Sequence, residues 1–171
     1  MEYGVNFSMK MVNESEAVKA IAIAKKVLAN TTIKEDIKGQ FAELADSLYI
    51  NEDNQIVVDY ASVYIDSYEA ILPEMLKAIA AEGIKFCGKS YWDSTYDSEF
   101  FEFNVNEKRM TIESNYHSND DEPRCEDCDE YFEQIEVNSK IVYRCAECGK
   151  EISEEEFLSA CETIRIYEFE M

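Results

Sequence analysis

Four cysteines carry the clearest chemistry in this chain of 171 residues. CEDC places Cys125 and Cys128, CAECG places Cys145 and Cys148, and sixteen residues separate the two pairs. A Cys-x-x-Cys pair folds as a tight turn that aims both thiols at one point, and two such pairs supply the four-thiolate tetrahedron that Zn²⁺ prefers. Four protein ligands leave no coordination position for water, so one zinc held here is structural and not hydrolytic. The residues between the pairs must bring them together, and they read as a hairpin. Tyr131, Glu133, Ile135 and Val137 alternate with Phe132, Gln134 and Glu136, Asn138-Ser139 turns the chain, and Ile141 to Arg144 runs back.

With these motifs, residues 125–148 resemble the zinc-ribbon family, in which two cysteine knuckles sit at the ends of a small antiparallel sheet. The resemblance covers 24 of the 171 residues. Gly149 follows Cys148, where a glycine lets the backbone turn toward the metal, and Asp129 stands in the corresponding place after Cys128. The cysteines also resemble the knuckles of rubredoxins, which would make the metal iron and the chain a one-electron carrier. Those knuckles usually carry Cys-x-x-Cys-Gly twice with Pro in the second; here the glycine occurs once and the proline in neither.

Other reactive groups are sparse. His117 is the one histidine, so Ser-His or Cys-His catalysis would depend on it alone, and no nucleophile signature surrounds it. Eight residues before Cys125, it could serve as a spare metal ligand. The clusters Asp120, Asp121, Glu122 and Asp127, Asp129, Glu130 could hold Mg²⁺ or act as paired carboxylates, but such runs usually form solvated loops. Gly88-Lys89-Ser90 lacks the upstream glycine of a phosphate loop. Cys87 and Cys161 sit in apolar segments and read as buried, reduced thiols, with a redox pair or an extra ligand as the alternative.

The surrounding elements follow from periodicity. Tyr3, Val5, Phe7, Met9 and Met11 share one side of a strand. Asn13 and Glu16 box a helix with Val18, Ile21, Ala24, Val27 and Leu28 inward; Thr32 and Glu35 box a second, with Ile33, Ile37, Phe41, Leu44 and Leu48 as its stripe. Residues 49–65 suggest two strands around Asn51 to Asn54. A helix from about Ser67 to Glu82 is interrupted or restarted at Pro73 and stops at Gly83. Ile84 to Trp92, Glu99 to Val105 and Arg109 to Tyr116 form a meander dense in rings, among them Tyr91, Trp92, Tyr96, Phe100 and Phe103, which fill sheet faces and strand pairs. His117 to Arg124 reads as a linker. Ser153 and Glu156 box a short helix, and Thr163 to Glu170 is a closing strand.

The expected fold is therefore α+β: an antiparallel sheet packed with about three helices and an inserted zinc-ribbon hairpin. Residues 1–117 form the α+β domain, 118–150 the ribbon insertion, and 151–171 a helix and strand that return to the main sheet or extend the ribbon's own.

The formal net charge is -21, of which residues 1–50 hold only -1. Residues 93–133 hold fourteen acids against Lys108, Arg109 and Arg124. Nucleic-acid binding needs Lys and Arg to displace counterions from phosphates, so this field has the wrong sign for it. No apolar run reaches the ~18 residues of a bilayer span, and the amino terminus alternates like a strand instead of carrying the basic start and apolar block of a signal peptide, which reads as a cytoplasmic protein. Three function classes follow. The first is a non-enzymatic interaction module whose partner carries a basic surface. The second is an acidic mimic of DNA, similar in size and charge to phage-encoded inhibitors of restriction and CRISPR systems. The third is an enzyme that uses its acids with a divalent ion; a deep pocket with convergent, raised-pKa acids would favour it.

Overall fold

The structure, a computed structural model, describes residues 2–30, 35–94, 97–106, 109–118 and 122–170. Thr32, Ile33, Tyr96, Asp120 and Asp121 lie outside the described residues, as does Lys108.

The fold is α+β and antiparallel throughout. In chain order the elements are β1 (Glu2–Met11), α1 (Glu14–Ala29), α2 (Glu35–Ser47), β2 (Tyr49–Ile50), β3 (Gln55–Tyr64), α3 (Ile65–Ala81), β4 (Phe86–Asp93), β5 (Asp97–Val105) and β6 (Arg109–Ser118). They continue with β7 (Phe132–Val137), β8 (Lys140–Cys145), β9 (Glu151–Ser153), α4 (Glu154–Ala160) and β10 (Glu162–Glu170). Seven strands form one sheet in the order β10-β6-β5-β4-β1-β3-β2, and β7-β8-β9 form a second. The last strand lies beside β6 over nine register pairs, Glu162 opposite His117 through Glu170 opposite Arg109.

Strand parity builds the core. Val5, Phe7, Met9 and Met11 of β1 are buried while Asn6 and Lys10 are exposed. A register shift between Val5 and Phe7 against β3 leaves Asp59 and Tyr60 outside and returns Ala61 and Val63 to the core, so both halves of that strand keep their apolar side in. The inward rings interlock: Phe103 stacks on Phe7 at 5.5 Å and meets Phe86 edge-on at 6.1 Å. Gly88 makes room for this, because a Cβ there would lie 2.3 Å from the Ser8 carbonyl oxygen and 2.5 Å from the Phe103 ring. Tyr91 and Phe100 alternate to the opposite, open face.

The helices depart from the sequence reading in two ways. In α1, Val18 is 53% exposed and the buried stripe is Ala17, Ala20, Ala24 and Leu28. Three alanines let α1 approach α2 and α3 closely, and that packing outweighs the larger side chain. Phe41 and Leu44 of α2 and Leu48 just beyond it are buried as the stripe requires; the side chain of Ile37 lies outside the described residues. The third helix runs unbroken through Pro73. Proline costs a helix about 3 kcal/mol by removing one N–H and crowding the preceding turn. The stripe Tyr68, Ile71, Leu72, Met75, Leu76 and Ile79, buried on both sides of it, holds the helix together.

Two further corrections concern boundaries and thiols. β6 continues through His117 and Ser118, which pair with Ser98 and Asp97 of β5, so the expected linker starts later. Cys87 is exposed and Cys161 only half-buried. Phe86 and Gly88 take the inward positions of β4, which turns Cys87 to the open face opposite Lys10 and Asn104; Cys161 caps the end of α4.

Candidate metal centre

The centre begins with a hairpin. Asn138 and Ser139 both adopt left-handed backbone (φ 51° and 62°), the two-residue turn whose twist matches antiparallel strands. That turn fixes Val137 opposite Lys140 and Phe132 opposite Cys145. β9, a three-residue strand that the sequence did not announce, adds Ile152 beside Tyr143. Ser153 then caps α4 with Glu156 in a reciprocal box. α4 in turn lays Phe157 flat on Tyr143 at 3.7 Å and edge-on to Phe132.

At the open end of the hairpin, the two cysteine loops repeat one hydrogen-bond pattern. The Cys125 N–H donates to the Glu130 carbonyl and the Asp129 N–H to the Cys125 carbonyl, both at 2.8 Å; the Cys145 N–H donates to Lys150 at 2.8 Å and the Gly149 N–H to Cys145 at 3.0 Å. Each loop closes on a left-handed residue, Gly149 at φ 75° and Asp129 at φ 57°. Aspartate is among the few side chains that tolerate this region, and here it is held: Arg124 donates to its carbonyl at 3.0 Å and lies 3.7 Å from its carboxylate. Asp129 thus fills the position that glycine fills in the second loop. Lys150 reaches across from the second loop to Asp127 of the first at 3.1 Å, and that contact raises the lysine's pKa.

This scaffold brings all four predicted ligands together. The sulfurs of Cys125, Cys128, Cys145 and Cys148 lie within 4.8 Å of one another, with Cys125 3.6 Å from Cys148 and Cys128 3.2 Å from Cys145. A disulfide needs about 2.05 Å. A tetrahedron with ~2.3 Å metal–sulfur bonds has edges of about 3.8 Å, so the set can close on one ion with changes in sulfur–sulfur distance of up to about 1 Å. Cys125 and Cys145 are buried, Cys128 half-buried and Cys148 exposed. The Cys148 backbone amide, more than any other contact, holds the Cys145 thiol down to about 7, against some desolvation, while the contact with Cys145 pushes the Cys128 thiol up and the Cys148 thiol is raised as well; without an ion, one sulfur of the set ionises ahead of its neighbours. By donor chemistry and geometry the cluster could hold a metal ion.

The remaining sequence candidates fall elsewhere. His117 sits in β6 opposite Ser98 and Glu162 and is not among the clustered ligands. Asp127, Asp129 and Glu130 are exposed on the first loop, where the first two serve the contacts just described. Among the described residues, the four cysteines are the one grouping of three or more ligand side chains close enough to hold an ion. Gly88-Lys89-Ser90 lies within β4.

One feature escaped the sequence reading. Glu99 of β5 is 2% exposed and accepts from the Trp92 indole at 3.3 Å. Glu69 of α3 faces it across a cavity of about 300 Å³ that is also lined by Asp66, Phe101, Arg165 and Tyr167. Burial first, and then the contact with Glu99, push the Glu69 carboxyl up to about 7 in spite of Arg165. The signal was present in the alternation: Glu99 shares parity with Phe101, Phe103 and Val105, an acid at a core-facing position.

No described helix is long and apolar enough to cross a membrane. Compared with family models, curated proteins and solved structures, the chain matches none.

Proposed function

We propose that the four cysteines hold a single Zn²⁺ as a closed structural site of zinc-ribbon type, and that the chain is a non-enzymatic binding protein whose partner presents a basic surface. The observation that carries the first half is the thiolate cluster itself: four sulfurs on two matched loops leave no open position for substrate. The second half rests on charge, and it stands against one observation that favours the enzyme class, the raised Glu69 carboxyl beside Glu99 in a cavity of about 300 Å³. Residues 122–161 hold twelve acids against four bases, and Glu154, Glu155 and Glu156 stand exposed in the first turn of α4. Such a field steers association with a cationic surface and repels nucleic acid.

Elemental analysis with an absorption spectrum on the untagged chain tests the metal. One zinc per chain in a colourless solution is expected; one iron with a visible charge-transfer band would replace this reading with electron transfer. Capture from host lysate at low and high salt tests the partner. Bound proteins should be basic and should elute as salt rises, whereas acidic or salt-insensitive captures would sink the basic-partner reading.

A further inference from the structure

The two edges of the seven-stranded sheet are built differently. One edge is β2, two residues long. The other is β10, nine residues in unbroken register with β6. Natural sheets blunt their edges with short strands, bulges, prolines or lysines, because an edge offers a row of unpaired backbone groups to any extended chain. β2 is blunted by brevity. β10 has no bulge against β6, and ETIRIYEFE contains neither proline nor lysine.

Its side chains add to the offer. Ile164 and Ile166 project on the sheet face that the helices leave open and are 60% and 64% exposed, opposite the polar Asn115 and Glu113 of β6. On that face Glu162 precedes them and Glu168 and Glu170 follow them. Arg165, the one base of the strand, points to the other face and lies 5.9 Å from the Tyr116 ring. The edge therefore offers backbone hydrogen bonds and, on one face, two uncovered aliphatic side chains flanked by three carboxylates.

A second copy of the chain is a poor occupant. In an antiparallel β10–β10 pair, the register that sets Ile164 opposite Ile166 also sets Glu162 opposite Glu168 and Arg165 opposite Arg165. The register that sets Ile166 opposite itself puts Glu162 opposite Glu170. Like charges directly opposed destabilise a sheet pair, and both chains carry -21.

We propose that the outer edge of β10 is a strand-addition site for an extended segment of the partner that carries, at every second position, two aliphatic residues flanked by Lys or Arg. This rests on the basic-partner reading and gives that partner a place and a mode of binding. Main-chain hydrogen bonds to the edge supply affinity, and the alternating side chains supply selectivity. Aliphatic residues cover Ile164 and Ile166, and cationic ones meet Glu162, Glu168 and Glu170.

The test uses the full chain, a fluorescent nine-residue peptide Lys-Thr-Lys-Thr-Val-Thr-Val-Thr-Lys, whose valines and lysines share one face of a strand, and a neutral peptide with threonine in place of each lysine. The lysine peptide should slow amide exchange across residues 163–169 and bind at least tenfold more weakly to the double variant Ile164→Lys/Ile166→Lys, whose substitutions lie at exposed positions. Protection elsewhere, or undiminished binding to the double variant, overturns the proposal. So does a dimer whose β10 amides are protected without peptide, which would make a second copy the occupant. Equal binding of the neutral peptide at β10 overturns the cationic requirement and counts against the basic partner. Salt-sensitive capture of basic proteins that survives in the double variant leaves the basic partner standing and removes β10 as its site.

Discussion

The two sheets of this molecule are stabilised by different physics. The seven-stranded sheet and its helices close around one cluster of buried apolar side chains, thirty among the described residues. In residues 122–161 only Cys125 and Cys145 are fully buried, and what packing exists is the half-buried group around Phe132, Tyr143 and Phe157. Hydrophobic burial contributes roughly 25 cal/mol per Å² removed from water, so the large sheet has a core sufficient to fold and the small one does not. A module of this size needs another source of stability, and on the reading proposed above a metal held by the sulfur cluster supplies it.

Removing the metal should therefore separate the two regions. Structural zinc in isolated fingers contributes about 10–16 kcal/mol at neutral pH, more than any packing contact here. Chelation, or Cys145→Ser, should abolish exchange protection across residues 122–161 and leave β1 and β4–β6 protected. Unchanged exchange in the small sheet on metal removal would reject a metal-dependent ribbon. The reverse experiment cuts into the core: Phe103→Ala removes a ring held between Phe7 and Phe86 and should lower the stability of the large sheet by about 3–5 kcal/mol with metal stoichiometry unchanged. If denaturant titration instead shows the ribbon unfolding with it, the two regions are one cooperative unit.

A smaller effect compares the two cysteine loops. Gly149→Ala places a Cβ at φ 75° and should weaken the second loop by about 1–2 kcal/mol. Asp129→Gly relaxes the same conformation in the first loop and loses only the 3.7 Å carboxylate contact with Arg124, keeping the carbonyl that Arg124 bonds, so its effect on metal affinity should be several-fold smaller than that of Gly149→Ala. Competition with a chelator measures both; equal losses would show that Asp129 is held by something other than backbone conformation.

What the sequence disclosed follows the same division. The metal cluster was legible because ligand spacing is local and its turn chemistry is strict: Cys125, Cys128, Cys145 and Cys148 sit where the motif requires. The strands of the large sheet were legible through parity, and α4 through its capping box. What was hidden depended on neighbours distant in sequence. Ala17 and Ala20 outrank Val18 only because two other helices press on α1. Pro73 is absorbed only because the stripe around it is buried. Cys87 faces outward because Gly88 must yield to Phe103. β9 is three residues long, too short for any periodicity, and exists by pairing with β8.

Glu69 provides the finest comparison, since it sits where a helix meets the large sheet and carries a raised carboxyl remote from the cysteine cluster. The groups facing it are Glu99 from β5, Asp66 from its own helix and Arg165 from β10. Its carboxyl is raised from about 4.5 to about 7, so between those values the folded chain keeps a proton that the unfolded chain releases. This group's stabilising contribution is full below about pH 4.5, falls as pH rises through about 7, and is flat above it. A fully buried carboxyl with that displacement would account for roughly 3 kcal/mol; Glu69 keeps some contact with water, and screening reduces the expected change to about 1 kcal/mol. Glu69→Gln keeps the shape and cannot ionise, so it should remove that part of the pH slope from the large sheet's unfolding free energy while leaving the small sheet's exchange rates unaltered. Denaturant titrations of both chains from pH 4.5 to 8 decide it: parallel curves would show that the slope arises elsewhere, and a slope lost only in the variant would place the proton between α3 and β5.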